Sequence, residues 1–571
     1  MSNLPSMGRI GVDWYATHVA VRLQDFFFAT APWQRRLWDA GTLFTLRELL
    51  EASRWQSENV LSPASVTWLA REVERIAGRD VGVGDSAVRR RLTDELRSNI
   101  PFDSRHWRAL EQLMPTIEGN YLARWMAAVD APQPPGAERT ARALAAHLLD
   151  KGYSQTYLHG WVRSHLRDQH TLGELFADAC RLADDVEARY EIILPFVRMP
   201  KPEIAQSQEN WLTAGELTQW LDKYDVSRKA RTEIRHVGGF RYEVQARDDW
   251  AAARTVVGIH DRLFARASYV SGFAKMAAAE ITWLRQIDGP TRPVRSMPIT
   301  KEHRGTYVKS LVRERNLHHV GTSATNLDDA LELAAALNNS SSRGPALASG
   351  WSALESLLYG PGDPQDSKDG RGAVVCDRAA ELVVCAWPRA ELTSLAYAPT
   401  GHSAQPAVLV GDLARSVSLS SNPAGRDSAH AQLEANLETA NSNLERCRLL
   451  LDAYALGTCG RLTGPSDIAA QERMLALVVN PRATLDEVRV HIQQAFRRMY
   501  RMRNIVVHGG AASTAGLDIT LRTTAPLVGA ALDRVAHAQL VDGVDALALA
   551  ARANVRLGLV GTTTGVADLL T

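Results

Sequence analysis

Apolar residues that return every three or four positions constrain this chain more than any other feature, and the longest such run lies near its C-terminal end. Leu485, Val488, Ile492, Ala495, Met499, Met502 and Val506 form one stripe, which predicts an amphipathic helix of about six turns with one side against a core or a partner. Thr484 with Glu487 three residues on marks a capping-box start just after Pro481, and Gly509-Gly510 marks the stop. Similar spacing predicts helices over 327–337, 347–358, 371–387, 432–454 and 527–540, whereas 398–427, rich in Gly, Ser and Pro, predicts a loop. The first 130 residues also have helical spacing, around 37–50, 66–76 and 107–126.

A chain of 571 residues is too long for one ordinary core. Stiff, polar breaks at 131–136 and 288–293 suggest three parts: a helical region 1–131, a middle region 137–287, and a C-terminal domain 300–571. In the middle region, helical stretches at 138–149 and 155–166 flank the turn Lys151-Gly152-Tyr153-Ser154. That is either a plain helical hairpin or a DNA-reading helix-turn-helix. Tyr190, Ile192, Ile193, Leu194, Phe196 and Val197 form a strand-like run, and a second comes at 240–244 before a helix at 248–265. The expected fold class is therefore mainly α and multi-domain, with a C-terminal helical bundle and a small α/β or α+β element in the middle.

Composition narrows the function. A formal net charge of +1 gives no overall basic field, so any nucleic-acid contact must be local. Five scattered cysteines, none in a C-x-x-C pair, argue against a disulfide framework or zinc ribbon and fit a reducing cytoplasm. Residues 1–12 lack a signal-peptide pattern, and no apolar run is long enough to span a membrane; 527–555 is broken by Asp533, Arg534, Asp542 and Asp545. A soluble cytoplasmic protein is expected. No nucleotide phosphate loop, dinucleotide fingerprint or nucleophile elbow occurs, and His159, His165 and His170 do not share one helix face as metal ligands would. No cofactor and no metal site are expected.

The end of the long stripe carries the chemistry. Arg503-Asn504-Ile505-Val506-Val507-His508 places a planar cation, an amide and an imidazole within two turns. Arg offers a fork for phosphate oxygens, and His exchanges a proton near neutral pH. Asn504 and His508, four apart, stack on one side; Arg497 and Arg501 form another such pair earlier, a candidate RNA phosphate-binding edge. The other reading of the segment is a helix C-cap beside a solvated arginine face.

This R-N-x3-H string resembles the R-polar-x3-H signature of HEPN-superfamily ribonucleases. Together with W-x-A-L-E-x-L-L at 351–358, ahead of the Gly/Pro/Asp-rich loop 360–370, it looks like their Apea-like branch over roughly residues 315–545. The resemblance implies metal-independent RNA cleavage, with Arg503, Asn504 and His508 as catalytic residues, attack by the 2′-OH, and a 2′,3′-cyclic phosphate product. It also makes Glu355 a candidate support for Arg503, the alternative being an ordinary surface carboxylate. Such proteins commonly pair as homodimers. They are typically toxins or anti-phage defence effectors acting on cellular RNA such as tRNA, under a phage-derived trigger or an antitoxin. By that analogy the N-terminal half would sense the trigger or restrain the nuclease. Two rivals stay open: a non-catalytic HEPN-like RNA- or nucleotide-binding dimerisation module, and a DNA-binding regulator.

Overall fold

The protein is described here by a computed structural model covering residues 8–199, 205–224, 235–269, 276–288, 293–299, 316–318, 324–339, 342–363, 370–400, 423–510 and 515–570. Among these residues it is mainly helical, with twenty α-helices and one six-stranded antiparallel sheet in the middle region. The chain divides into two compact units. One contains Met1–His147, Val162–Cys180 and Arg304–Thr571; the other contains Leu148–Trp161 and Arg181–His303. The N-terminal helices and the C-terminal bundle thus belong to one unit. No described helix is long and apolar enough to cross a membrane.

The sheet organises the second unit. Its strands are β1 (Ala188–Arg198), β2 (Trp211–Thr213), β3 (Gly238–Ala246), β4 (Ala277–Ala278), β5 (Ile281–Gln286) and β6 (Arg295–Pro298). Their order is β2-β3-β1-β5-β6, with β4 also paired to β1. The central strand explains its own sequence. Tyr190, Ile192, Leu194 and Phe196 face a core completed by Ala252 and Val256 of the helix Asp249–Ser268. Ile193 faces the other way, against Trp283 and Leu217, Trp220 and Leu221 of the helix Ala214–Lys223. A strand covered on both faces loses strict alternation, hence the unbroken run Ile192-Ile193-Leu194. All pairings described are antiparallel, so the element is α+β rather than α/β.

In the first unit the long stripe forms the helix Pro481–His508, which begins about a turn earlier than Thr484. Asn480 caps it, accepting from the Ala483 N–H. Pro481 takes the first helical position, where a missing N–H costs nothing. Leu485, Val488, Ile492, Ala495, Met499 and Met502 are buried, but the stripe ends on Ile505 instead of Val506, which is only half-buried. The stretch 432–454 is broken at Ala440–Ser442 into the helices Pro423–Thr439 and Asn443–Ala455. Most of the expected loop, 401–422, lies outside the described residues. The helices Pro465–Val479 and Ala546–Leu559 complete the packing around Gly370–Ala396.

The polar side of Pro481–His508 is also covered. Glu48, on the N-terminal helix Thr42–Ser57, accepts from Arg498 Nε at 3.0 Å and from Arg501 Nε and Nη2 at 3.0 and 2.7 Å. All three side chains are buried. The two guanidiniums hold the Glu48 carboxyl below its ordinary pKa against the opposing effect of burial.

Glu72, one helix further on in Pro63–Arg79, is 4% exposed, and neither carboxylate oxygen has a hydrogen-bond partner among the described residues. Burial pushes its pKa up to about 7 despite the nearby arginines. A raised carboxyl pKa means the folded protein keeps a proton that the unfolded chain has released, so stability falls as pH rises through that window. Replacing Glu72 with Met, of similar length and apolar, should remove this dependence. Chemical denaturation should show the variant gaining on the wild type between about pH 4.5 and pH 7, by roughly 3 kcal/mol in all, with no further change above.

Candidate functional site

Three close approaches bring the candidate residues together. Gly350, in the helix Arg343–Leu358, lets Met499 come so near that an added Cβ would lie 3.2 Å from Met499 Cε. Beside it Trp351, fully buried, packs on Tyr500 with ring centroids 5.0 Å apart. One turn further along both helices, Glu355 meets Arg503, Oε2 to Nη2 at 3.9 Å. The contacts advance in the same direction along the two helices, so the Trp351–Tyr500 packing sets the register that carries the carboxylate to the cation.

The third approach comes from the helix Gly370–Ala396. Its Gly372 backbone lies flat on the Tyr500 ring, leaving no room for a Cβ. This delivers Arg371 to the other oxygen of Glu355, Nε to Oε1 at 3.0 Å. Arg371 also lies over the ring of Tyr359, its Cζ 4.2 Å from the centroid. Arg378, a further two turns along, holds the end of Arg343–Leu358 by donating to the Leu358 carbonyl at 2.8 Å and gripping Asp363 with two bonds of 2.6 Å.

The R-N-x3-H residues form one cluster. Arg503 Nη1 donates to Asn504 Oδ1 at 3.0 Å and lies 3.4 Å from His508 Nε2. A guanidinium only donates, so a hydrogen bond in this contact needs His508 Nε2 as its acceptor. Arg503 is 24% exposed on its side chain, and His508 is exposed at the helix end. The arrangement is a cation held by a carboxylate and an amide, with an imidazole nitrogen beside it at the surface. Such a set can hold an oxyanion and move a proton within one site.

Gly509 closes the helix with its N–H on Ile505 and packs on Trp55 of the helix Thr42–Ser57. Gly510, at φ +67°, takes the left-handed turn that ends the segment.

The expected phosphate edge is different. Arg497 does not stand free: its Cζ lies 4.4 Å from the Trp68 ring centroid and Nη2 bonds Asp377 at 2.9 Å. It lines a cleft of about 30 Å³ with Ser65, Trp68 and Tyr500. Arg501, expected at a phosphate-binding surface, is 2% exposed and bound to Glu48. It is a buried structural cation, because a helix from the distant N-terminal region covers that side. Sequence reading did not find Arg371 or Tyr359. Arg371 lies one residue past the Gly-rich loop, and only its place at a helix start could have drawn notice.

Among the described residues no group of three or more His, Cys, Asp or Glu is placed to hold a metal ion. His165 instead contacts His170, Nδ1 to Nδ1 at 2.9 Å, and Asp178 through Nε2 at 3.1 Å.

No protein-family model matches the chain, and no curated protein or solved structure is significantly similar to it.

The placement of Arg501 is testable. Arg501→Ala should leave half of the Glu48 carboxylate buried without a partner and lower unfolding free energy by about 3–5 kcal/mol. Denaturant titration measures this, and an effect below about 1 kcal/mol would contradict the buried pairing.

Proposed function

We propose that this protein is an endoribonuclease of HEPN type, cutting RNA by attack of the ribose 2′-OH on the adjacent phosphate. The observation that carries the reading is the contact of Arg503 with Asn504, His508 and Glu355 at one surface site. Arg503 holds the scissile phosphate and stabilises the charge that builds on its equatorial oxygens. His508 Nε2 takes the proton from the 2′-OH, or a protonated His508 returns one to the leaving 5′-oxygen. The products are a 2′,3′-cyclic phosphate and a 5′-hydroxyl. Asn504 holds Nη1 of the guanidinium, and Glu355 restrains Arg503 at Nη2. None of these roles requires a metal ligand.

One protomer offers one such imidazole, whereas taking one proton and giving another is served better by two. A homodimer would supply the second. Met499, Met502 and Ile505 are consumed by the protomer's own core and are not free for that pairing. By the same reading the target is cellular RNA such as tRNA, in the service of toxicity or anti-phage defence. A non-catalytic RNA-binding module remains the reading to fall back on if no cutting is seen, since Arg503 alone suffices to hold a phosphate.

Cleavage of tRNA and of a labelled single strand, in EDTA, by the wild type and His508→Ala tests the proposal. The wild type should leave cyclic-phosphate ends, and the variant should lose roughly 10²–10⁴ in rate, the usual worth of a positioned general acid or base. Arg503→Lys should also fail to cut while retaining some binding, because a point charge keeps attraction but not the two-pronged grip. Equal cutting by wild type and His508→Ala would sink the assignment.

A further inference from the structure

Arg371 is held like a working residue, not like a surface arginine. A long exposed side chain ordinarily samples many rotamers, and ordering it on a ligand costs entropy. Here two contacts have already ordered it: Nε on Glu355 Oε1 at 3.0 Å and the guanidinium over Tyr359 at 4.2 Å. Yet the side chain remains 56% exposed. Asp363, in the turn after the helix Arg343–Leu358, is taken up by Arg378 through two short bonds.

The same Glu355 carboxylate bears Arg503 on its second oxygen. Two guanidiniums therefore share one negative charge, which leaves a local positive excess in a chain whose formal net charge is only +1. Spaced by a single carboxylate, they are close enough to meet neighbouring phosphates of one strand. A guanidinium plane backed by an aromatic ring also offers a stacking face to an unpaired base, which a duplex keeps hidden.

We propose that Arg371, stacked on Tyr359 and tethered to Glu355, grips a second phosphate of a single-stranded RNA, next to the one held at Arg503. This rests on reading the site as RNA-cleaving. It assigns the substrate as an unpaired strand and divides the work: Arg503 serves the reacting phosphate, and Arg371 sets the register of the strand upon it.

The test uses the full chain in a His508→Ala background, so that RNA is bound and not cut. Affinity for a short labelled single-stranded RNA is measured against salt concentration. Adding Arg371→Ala should weaken binding about tenfold and flatten the slope of log K on log salt by about 0.7, the loss of one phosphate contact on a single strand. Arg371→Lys should keep the slope, and Tyr359→Leu should weaken binding of the single strand more than that of a duplex. Circular dichroism confirms that each variant is folded. A residue that merely orients Glu355 would leave the slope unchanged, and that result overturns the proposal, as does absence of single-strand binding or an equal effect on duplex. If wild-type protein cuts RNA while the slope does not move, this inference fails and the nuclease reading stands. If the slope falls while wild-type protein cuts nothing, the grip stands and the nuclease reading fails.

Discussion

A carboxylate taken out of water must be met by cations and hydrogen bonds or it will not stay charged, and Glu48 meets that condition with Arg498 and Arg501 together. It fixes the polar side of Pro481–His508 as firmly as the apolar stripe fixes the other. The same device recurs along the seam between the N-terminal helices and the C-terminal bundle. Glu391, with no exposed surface, accepts from Arg473 at 3.0 and 2.5 Å and from Arg35 at 3.4 Å, while Arg35 reaches Asp467 at 2.7 Å. Asp39 joins Arg142 and His491 at 2.7 and 2.6 Å. Such pairs contribute little net stability compared with apolar packing, but each one severely penalises any arrangement that leaves its partner alone. They select one register of the seam, which is what a site assembled across three helices requires.

That register determines where the chemistry lies. With one side against the core and the other against Glu48, the helix from Val488 onward is exposed only at Val507 and His508, the end that also carries the half-buried Arg503 and Asn504. Close approaches at Gly350, Gly372 and Gly509 draw the neighbouring backbones in around it. The site is therefore preorganised by packing, with Glu355 and Arg371 set by Trp351, Tyr500 and Tyr359 and not by a flexible loop.

Local features were legible in the sequence and distant ones were not. The stripe from Leu485 to Met502 and the cluster of Arg503, Asn504 and His508 depend on spacing within one helix, and spacing is what a sequence displays directly. The run Ile192-Ile193-Leu194 likewise announced a strand, but Trp211–Thr213 and Ala277–Ala278 are too short to show any period. Arg501 illustrates the limit on the site. Periodicity puts it on the polar side of its helix, but only the fold reveals that Glu48 covers that side. Glu355 could be suspected from its neighbourhood, whereas Arg371 and Tyr359 acquire their meaning only when Gly372 settles on Tyr500. The helix Pro465–Val479 was overlooked although Gly464 and Pro465 form an ordinary helix start.

The partners in the Glu48–Arg498 pair stand 450 residues apart in the chain. At a synthesis rate of about 5–20 residues per second, the ribosome needs roughly 20–90 s to bring the second after the first. Throughout that interval the N-terminal helices carry acidic groups whose burial has no answering arginine, so their final packing has to wait. The nascent chain accordingly stays without its completed site until His508 has been added. An Arg503–His508 cluster then appears only on a molecule whose N-terminal helices are already there to hold it.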